Sequence, residues 1–162
     1  MEKKFELTDK FVFNTFGIKL FQIKCTKSFK YAKEGDLGGY VEKDENLDQE
    51  SDAWVSGNAR VYGDAWVYGN AWVSGDARVY GNADIENDNN HCGFDCFGSC
   101  NRHTHAYLTK DNKVEITCGC FRGSIEEFEK KVEKTHSGTI YEKQYKAIIN
   151  VIKIKFGLTD LI

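Results

Sequence analysis

A six-residue repeat in the middle of the chain constrains the fold more than any other feature. From residue 53 the sequence reads AWVSGN, ARVYGD, AWVYGN, AWVSGD, ARVYGN, ADIEND. Alanine opens each hexad, valine or isoleucine follows two positions later, and five hexads continue with glycine before Asn or Asp. Alternation within a hexad puts the alanine and valine on one face of a strand. Glycine followed by Asn or Asp favours a turn. The repeat therefore predicts very short strands, each ended by a turn.

A second period of 18 residues is superimposed on the first. Residues 53–63 and 71–81 are identical except that Asn58 becomes Asp76. An offset of three hexads predicts that equivalent side chains lie next to each other in the fold. The predicted neighbours are Trp54 and Trp72, Arg60 and Arg78, Tyr62 and Tyr80, and Trp66 and Asp84.

The hexads resemble the repeat of left-handed parallel β-helices, in which three hexads form one coil. Val41 and Leu47 continue the same phase upstream. The fold class predicted from this resemblance is mainly β with an α+β tail. It comprises an N-terminal β-hairpin cap at 1–37, a short left-handed β-helix at 38–87, a Cys/Gly-rich link at 88–102 and a C-terminal ββαα domain at 103–162.

Three further segments resemble small phage and prophage proteins that carry hexapeptide-type repeats. They are LGGYVE at 37–42, NLDQE at 46–50 and CGCFRGSIEEF at 118–128. The resemblance implies a phage-encoded, non-structural protein expressed inside a bacterial host. It implies no established activity.

Charge and hydropathy exclude several functional classes. The formal net charge is −3, which argues against general nucleic-acid binding through bulk charge. No apolar run approaches the ~18 residues that a membrane span needs. The opening MEKKFELTDK lacks the apolar core of a signal peptide. We therefore expect a cytoplasmic protein, located in the bacterial host cell, without a membrane partner.

The outward-facing positions of the repeat supply the first candidate site. Its four members are Arg60, Tyr62, Arg78 and Tyr80. Stacked arginines repel each other unless an anion or a carboxylate neutralises them, and guanidinium groups suit phosphate. Tyrosine rings can stack on a base. We call these four residues the Arg–Tyr ladder. It predicts either an anionic, nucleotide-like ligand or internal pairing with tail glutamates such as Glu126 or Glu127.

The three tryptophans are predicted to form an interface. Trp54, Trp66 and Trp72 occupy outward positions, where together they would make a costly exposed apolar patch. Such a patch is covered either by the flanking segments or by other subunits. We therefore expect a homo-oligomer, with a trimer favoured, and direct ligand contact is the alternative role.

Cysteine and histidine are dense between residues 91 and 120. The eight members are His91, Cys92, Cys96, Cys100, His103, His105, Cys118 and Cys120. The spacing does not match the paired Cys-x2-Cys of standard zinc sites, although His103 and His105 share one strand face. The favoured prediction is reduced, partly buried cysteines without a cofactor; structural zinc is the alternative, and disulfide or redox chemistry is a third.

Enzymatic function is disfavoured, because no histidine lies inside the repeat and no serine–histidine pair, phosphate loop or paired-carboxylate motif is present. The favoured function is a non-enzymatic counter-defence protein that sequesters a small anionic host immune signal of nucleotide type. A protein–protein inhibitor or adaptor that acts on a host defence or replication protein is the alternative. A degenerate hexapeptide acyltransferase is the third hypothesis.

Overall fold

The computed structural model describes residues 2–159, which form a mainly β protein with two C-terminal helices. The strands are β1 (Phe5–Phe13), β2 (Lys19–Cys25), β3 (Leu37–Val41), β4 (Trp54–Val55), β5 (Arg60–Val61), β6 (Trp66–Val67), β7 (Trp72–Val73), β8 (Arg78–Val79), β9 (Asp84–Ile85), β10 (His91–Phe97), β11 (Arg102–Leu108), β12 (Val114–Cys118) and β13 (Phe121–Ser124). The helices are α1 (Ile125–His136) and α2 (Ile140–Lys155). Neither helix has the length and apolar character needed to cross a membrane.

The predicted left-handed β-helix at 38–87 is wrong as the fold class. The described residues form four small sheets, and most of their pairing is antiparallel or very short. The largest sheet has the mixed order β1-β2-β3-β5-β8, so β3 pairs antiparallel with β2 and parallel with β5. The strands of the repeat contain only two residues each. Such short strands leave the longer antiparallel hairpins to determine the sheet pattern.

The predicted 18-residue register within the repeat is nevertheless confirmed. Trp54 pairs with Trp72, Arg60 with Arg78, and Trp66 with Asp84, all in parallel ladders. The alanines and valines of the hexads face one shared core and are 0–2% exposed. Their burial explains why the small and β-branched positions of the repeat are so regular, since each ladder must pack against the others.

The N-terminal segment packs along the repeat. β1 and β2 form an antiparallel hairpin around Asn14, whose side-chain oxygen accepts hydrogen bonds from the backbone of Phe16 and Ile18. The buried Lys4 donates from Nζ to the carbonyls of Ser51 and Ala53, at 2.7 and 2.6 Å. These bonds anchor the start of β1 to the entry of the repeat.

The C-terminal segment is a four-stranded antiparallel sheet covered by the two helices. Its order is β10-β11-β12-β13, and one face packs with Phe128, Tyr145 and Ile149 of α1 and α2. Ser124 caps α1, with Glu127 completing the capping box. The structure places strand β10 inside the predicted 88–102 link and adds strand β13 to the two strands predicted for the tail. A register shift between Phe94 and Phe97 and the exposed residues at the end of β10 weaken the strand pattern there.

Two glycines of the repeat offer a matched test of the tight packing between turns. Gly69 and Gly75 both have a φ of +65°, which disfavours any side chain. A Cβ on Gly69 would collide with the backbone carbonyl of Glu86, whereas a Cβ on Gly75 meets nothing within 4 Å. We expect Gly75→Ala to lower the free energy of unfolding by about 1–2 kcal/mol, from backbone strain alone. Gly69→Ala should lower the free energy of unfolding clearly more, and urea denaturation of the two variants measures the difference. Equal losses of unfolding free energy would contradict the close contact between Gly69 and the Glu86 carbonyl.

Candidate anion-binding cleft and histidine chain

Two side-chain hydrogen bonds dock the C-terminal sheet onto the repeat. The hydroxyl of Tyr107 donates to the carbonyl of Tyr80 at 3.1 Å, and the hydroxyl of Thr117 donates to the carbonyl of Arg78 at 2.8 Å. Tyr107 is fully buried, and burial strongly raises the pKa of its hydroxyl. The polar face of β11 and β12 is thereby held against β8.

This docking creates a polar cleft of about 550 Å³ between the repeat and the C-terminal sheet. Three arginines converge there, two from β5 and β8 and one from β11. Its lining is Asn58, Arg60, Asp76, Arg78, Cys100, Asn101, Arg102, His103 and Gly119. The cleft is therefore rich in positive charge in a protein whose formal net charge is −3.

Gly119 brings two of the arginines together. Arg78 donates from Nη1 to the carbonyl of Gly119 at 3.3 Å. Arg102 lies directly over the same glycine, which has a φ of +59° and where a Cβ would collide with the guanidinium group. A side chain at residue 119 would therefore require the flexible end of Arg102 to move.

The cleft arginines lack carboxylate partners. Among residues 2–159, salt bridges within 4.0 Å include Arg122, which pairs with Glu115, but none of the three cleft arginines. Internal pairing of the ladder with Glu126 or Glu127 is not observed in this part of the chain. Glu127 instead accepts from the backbone of Ser124. Arg60 and Arg78 are half-buried and Arg102 is exposed. Guanidinium groups without carboxylates are suited to an external anion.

The structure buries Tyr62 and Tyr80, which were predicted to stack on a base, away from the lining of the cleft. The two rings stack on each other, with centroids 4.5 Å apart, and are only 5% and 8% exposed. Leu20 of the N-terminal hairpin covers them, and burial raises the pKa of Tyr62 to about 12. Their faces are used within the chain because the hairpin closes over this end of β5 and β8.

The three tryptophans differ in their exposure and in their packing partners. Trp54 is 2% exposed and lies edge-on against Phe29 at 5.3 Å, so flanking residues cover it. Trp72 remains 45% exposed but stacks on Tyr31 at 5.4 Å. Trp66 is 40% exposed and stacks on Tyr68. The predicted shared interface of Trp54, Trp66 and Trp72 is thus divided, and Trp54 is unavailable to another subunit.

A larger cleft, of about 610 Å³, lies elsewhere and has the opposite charge. Its lining contains two lysines, Lys43 and Lys110, but five carboxylates, from Asp44, Glu45, Asp48, Glu50 and Asp64, so its formal charge is negative. Negative charge there repels anions, so the arginine cleft is the better candidate for an anionic ligand despite its smaller volume.

A chain of three histidines crosses β10 and β11 next to the arginine cleft. His91 Nδ1 lies 2.9 Å from His105 Nε2, and His105 Nδ1 lies 2.9 Å from His103 Nε2. The two ends meet carboxylates: His91 Nε2 is 3.1 Å from Asp88, and His103 Nδ1 is 2.5 Å from Asp95. We call these five residues the histidine chain. Its four consecutive hydrogen bonds use both ring nitrogens of every histidine.

Gly93 makes room for the histidine chain. A Cβ there would lie 2.6 Å from His103 Cε1 and 2.8 Å from His105 Nδ1. The glycine sits opposite His105 in the antiparallel register of β10 and β11. The bond between the two rings therefore runs directly over the glycine.

Four ring protons would satisfy all four hydrogen bonds of the histidine chain. Each of its four hydrogen bonds needs one proton, the carboxylates only accept, and three neutral imidazoles bring three protons. All four bonds are made when one ring carries both protons. With His103 as that ring, His105 donates to His91 and His91 donates to Asp88.

Burial opposes any further protonation. Burial lowers the pKa of His91, although nearby Asp88 acts in the other direction. Burial, together with His91 and His103, holds the pKa of His105 well below its usual range. Each of these two rings also keeps one bare nitrogen as an acceptor, so a second cation would break a hydrogen bond.

The cysteines lie apart from this arrangement. All six are free thiols; Cys25 and Cys118 are buried, Cys92 is half-buried, and Cys96, Cys100 and Cys120 are exposed. Within residues 2–159, no group of three or more His, Cys, Asp or Glu side chains is placed to hold a metal ion. The three histidines form a row rather than converging on a point.

The sequence identified Arg60, Arg78 and the three histidines as candidates, but not Arg102 or the terminal carboxylates Asp88 and Asp95. Arg102, Gly93 and both aspartates lie within the segment 88–102 that was predicted to be a link. The signal available was the alternation of His91, Gly93 and Asp95, which matches that of His103 and His105. Only the antiparallel register of β10 and β11 joins the two patterns.

Comparison with known proteins found no family model and no curated protein that matches this chain.

The histidine chain predicts acid sensitivity of the fold. Below pH 6.5 the unfolded chain binds protons at His91 and His105 that the folded chain resists, so stability falls as pH falls. We expect the free energy of unfolding to drop between pH 6.5 and 5, by up to about 1.4 kcal/mol per pH unit for each extra proton. Urea denaturation against pH measures the slope.

The matched variants are His105→Gln and His136→Gln. The first removes a buried ring and should flatten the slope; the second replaces a half-buried histidine on α1, outside the histidine chain, and should preserve it. An equal dependence of the unfolding free energy on pH in wild type and His105→Gln would contradict the role of the histidine chain in acid sensitivity.

Proposed function

We propose that this chain is a non-enzymatic binding protein that holds a small phosphate-bearing anion in the arginine cleft. The observation that carries this proposal is the convergence of Arg60, Arg78 and Arg102 without carboxylate partners within 4.0 Å among the described residues. The resemblance to phage proteins favours one ligand class, a nucleotide-type signal of bacterial antiphage defence. Sequestering that signal inside the host cell would be the biological role.

Phosphate fits the cleft for two physical reasons. Arg60 and Arg78 pair in register on adjacent strands, which are separated by about 4.8 Å. Two guanidinium groups at that spacing repel each other, and a bridging phosphate removes the repulsion while accepting charge-assisted hydrogen bonds. Each such bond contributes about 1.5–3 kcal/mol.

The cleft recognises the charged part of a ligand rather than a base. Tyr62 and Tyr80 are buried on the side of the repeat that the hairpin covers. The described lining of the cleft contains arginine, asparagine and histidine but no Phe, Tyr or Trp. We therefore propose that specificity comes from the number and position of phosphate groups.

Isothermal titration calorimetry with inorganic pyrophosphate, ADP and a cyclic dinucleotide tests the proposal. We expect at least one probe to bind, with affinity falling as salt rises. Arg60→Ala combined with Arg78→Ala should weaken binding by about 100-fold or more, from the loss of two charged partners. The melting temperature should stay close to that of wild type.

Lys134→Ala is the matched control, because it removes an exposed positive charge from α1, on the other face of the C-terminal sheet. It should leave binding unchanged. If none of the three probes binds the wild type, or if the double variant unfolds, the arginines are structural and the proposal is wrong.

A second candidate function, contact with another protein, is favoured by Trp66. Its ring is 40% exposed and lies flat against Tyr68, which makes a rigid apolar surface on the repeat. We propose self-association through this surface, with a trimer as the favoured assembly. Light scattering should give a mass above 18.5 kDa for wild type and a lower mass for Trp66→Ala. A wild-type monomer at micromolar concentration would leave recognition of a host protein as the remaining role for Trp66.

A further inference from the structure

We infer that the histidine chain stores one proton whose positive charge strengthens anion binding in the arginine cleft, so that ligand affinity is linked to protonation. This inference rests on the proposed function. It adds a regulatory input to the cleft: the ligand is held more tightly when the histidine chain carries its fourth proton, and less tightly when pH rises and the proton leaves.

The histidine chain and the cleft share one residue. His103 lines the cleft, yet its side chain is only 9% exposed and both ring nitrogens are engaged, with Asp95 and with His105. The ring therefore acts on an anion through its charge, not through a direct hydrogen bond. Three arginines already supply positive charge at this wall, and the imidazolium adds a fourth.

The extra proton can be kept because every bond in the histidine chain is made when it is present. Its removal leaves three protons for four hydrogen bonds, so one contact becomes a repulsion between lone pairs. A bound anion stabilises the protonated form further. By thermodynamic linkage, a proton that favours the anion is itself bound more tightly when the anion is present.

Some charged groups around the histidine chain favour its protonation and others oppose it. Asp88 and Asp95 terminate it and favour the proton. Lys155 of α2 lies near His91 and opposes it. From the cleft, Arg60, Arg78 and Arg102 also oppose the proton, and Asp76 favours it. An anion among the arginines cancels their opposition, which is the physical origin of the coupling.

A proton in the histidine chain need not stay on one ring. If His103 passes its Nε2 proton to His105 Nδ1, and His105 passes its Nε2 proton to His91 Nδ1, the cation moves to His91 and His105 changes tautomer. No proton is gained or lost, and all four hydrogen bonds persist. The charge can therefore move between the cleft side and the Asp88 side of the sheet without breaking the histidine chain.

Nitrogen NMR of the ligand-free protein, labelled with ¹⁵N at histidine, tests the stored proton directly. At pH 7 we expect His91, His103 and His105 to carry four ring protons in total. Three ring protons, as in three neutral imidazoles, would overturn the inference whether or not any ligand binds.

Proton linkage is tested by calorimetry of pyrophosphate binding in two buffers of different ionisation enthalpy. We expect net proton uptake on binding, and an affinity that decreases as pH rises from 6 to 9. Binding without proton uptake at any pH in this range would overturn the coupling while leaving the proposed function intact. Failure of pyrophosphate to bind at any pH would overturn both.

Replacing either of two aspartates gives matched variants, for which we expect opposite changes in anion affinity. Asp95→Asn and Asp76→Asn each remove one exposed negative charge close to the cleft. General electrostatics predicts tighter anion binding in both. Asp95 also holds the proton of the histidine chain, so we expect Asp95→Asn to weaken binding at pH 7.5 by about 3- to 10-fold and to abolish proton uptake. Asp76→Asn should strengthen binding and retain uptake. Tighter binding in both variants would show that His103 contributes no stored charge.

Discussion

The parallel pairing of residues 18 apart is the constraint on which the rest of the structure depends. The backbone amide of Arg60 donates to the carbonyl of Ala77 at 2.9 Å, and Trp54 and Trp66 make the equivalent bonds to Ala71 and Ala83. These bonds fix which side chains become neighbours. The same register that buries the alanines and valines also puts Arg60 beside Arg78, so the core and the unfavourable pair of like charges have one common origin.

Docking of the C-terminal sheet converts that charged pair into a cleft. The sheet has an apolar face for α1 and α2 and a polar face for β8, and Tyr107 and Thr117 fix the polar face in place. Arg102 and His103 follow on β11 and are carried to the cleft by the same docking. Burial of three histidines would be costly if each stood alone. Their mutual hydrogen bonds and the two terminal carboxylates satisfy every ring nitrogen.

The N-terminal segment covers the aromatic surfaces that the repeat exposes. Phe29 and Tyr31 pack on Trp54 and Trp72, and the β1–β2 hairpin closes over the stacked pair of Tyr62 and Tyr80. Consequently one end of β5 and β8 is structural and the other, with the arginines, is open. The arginines and tyrosines that the sequence analysis grouped in one site are therefore on different sides of the repeat. The cleft consequently interacts with a ligand mainly through positive charge.

The sequence by itself determined the short strands, the buried alanines and valines, the 18-residue register and the two capped helices. Each follows from local patterns: alternation, glycine turns, exact recurrence, and capping residues such as Ser124. Only the tertiary structure decided how the segments pair, because the hydrogen bonds that β3 makes with β2 and β5 depend on chain segments far apart in sequence. The same is true of the site. Arg60 and Arg78 were visible as a repeat, whereas Arg102, His91 and Asp95 became partners through strand register and docking, which no local periodicity encodes.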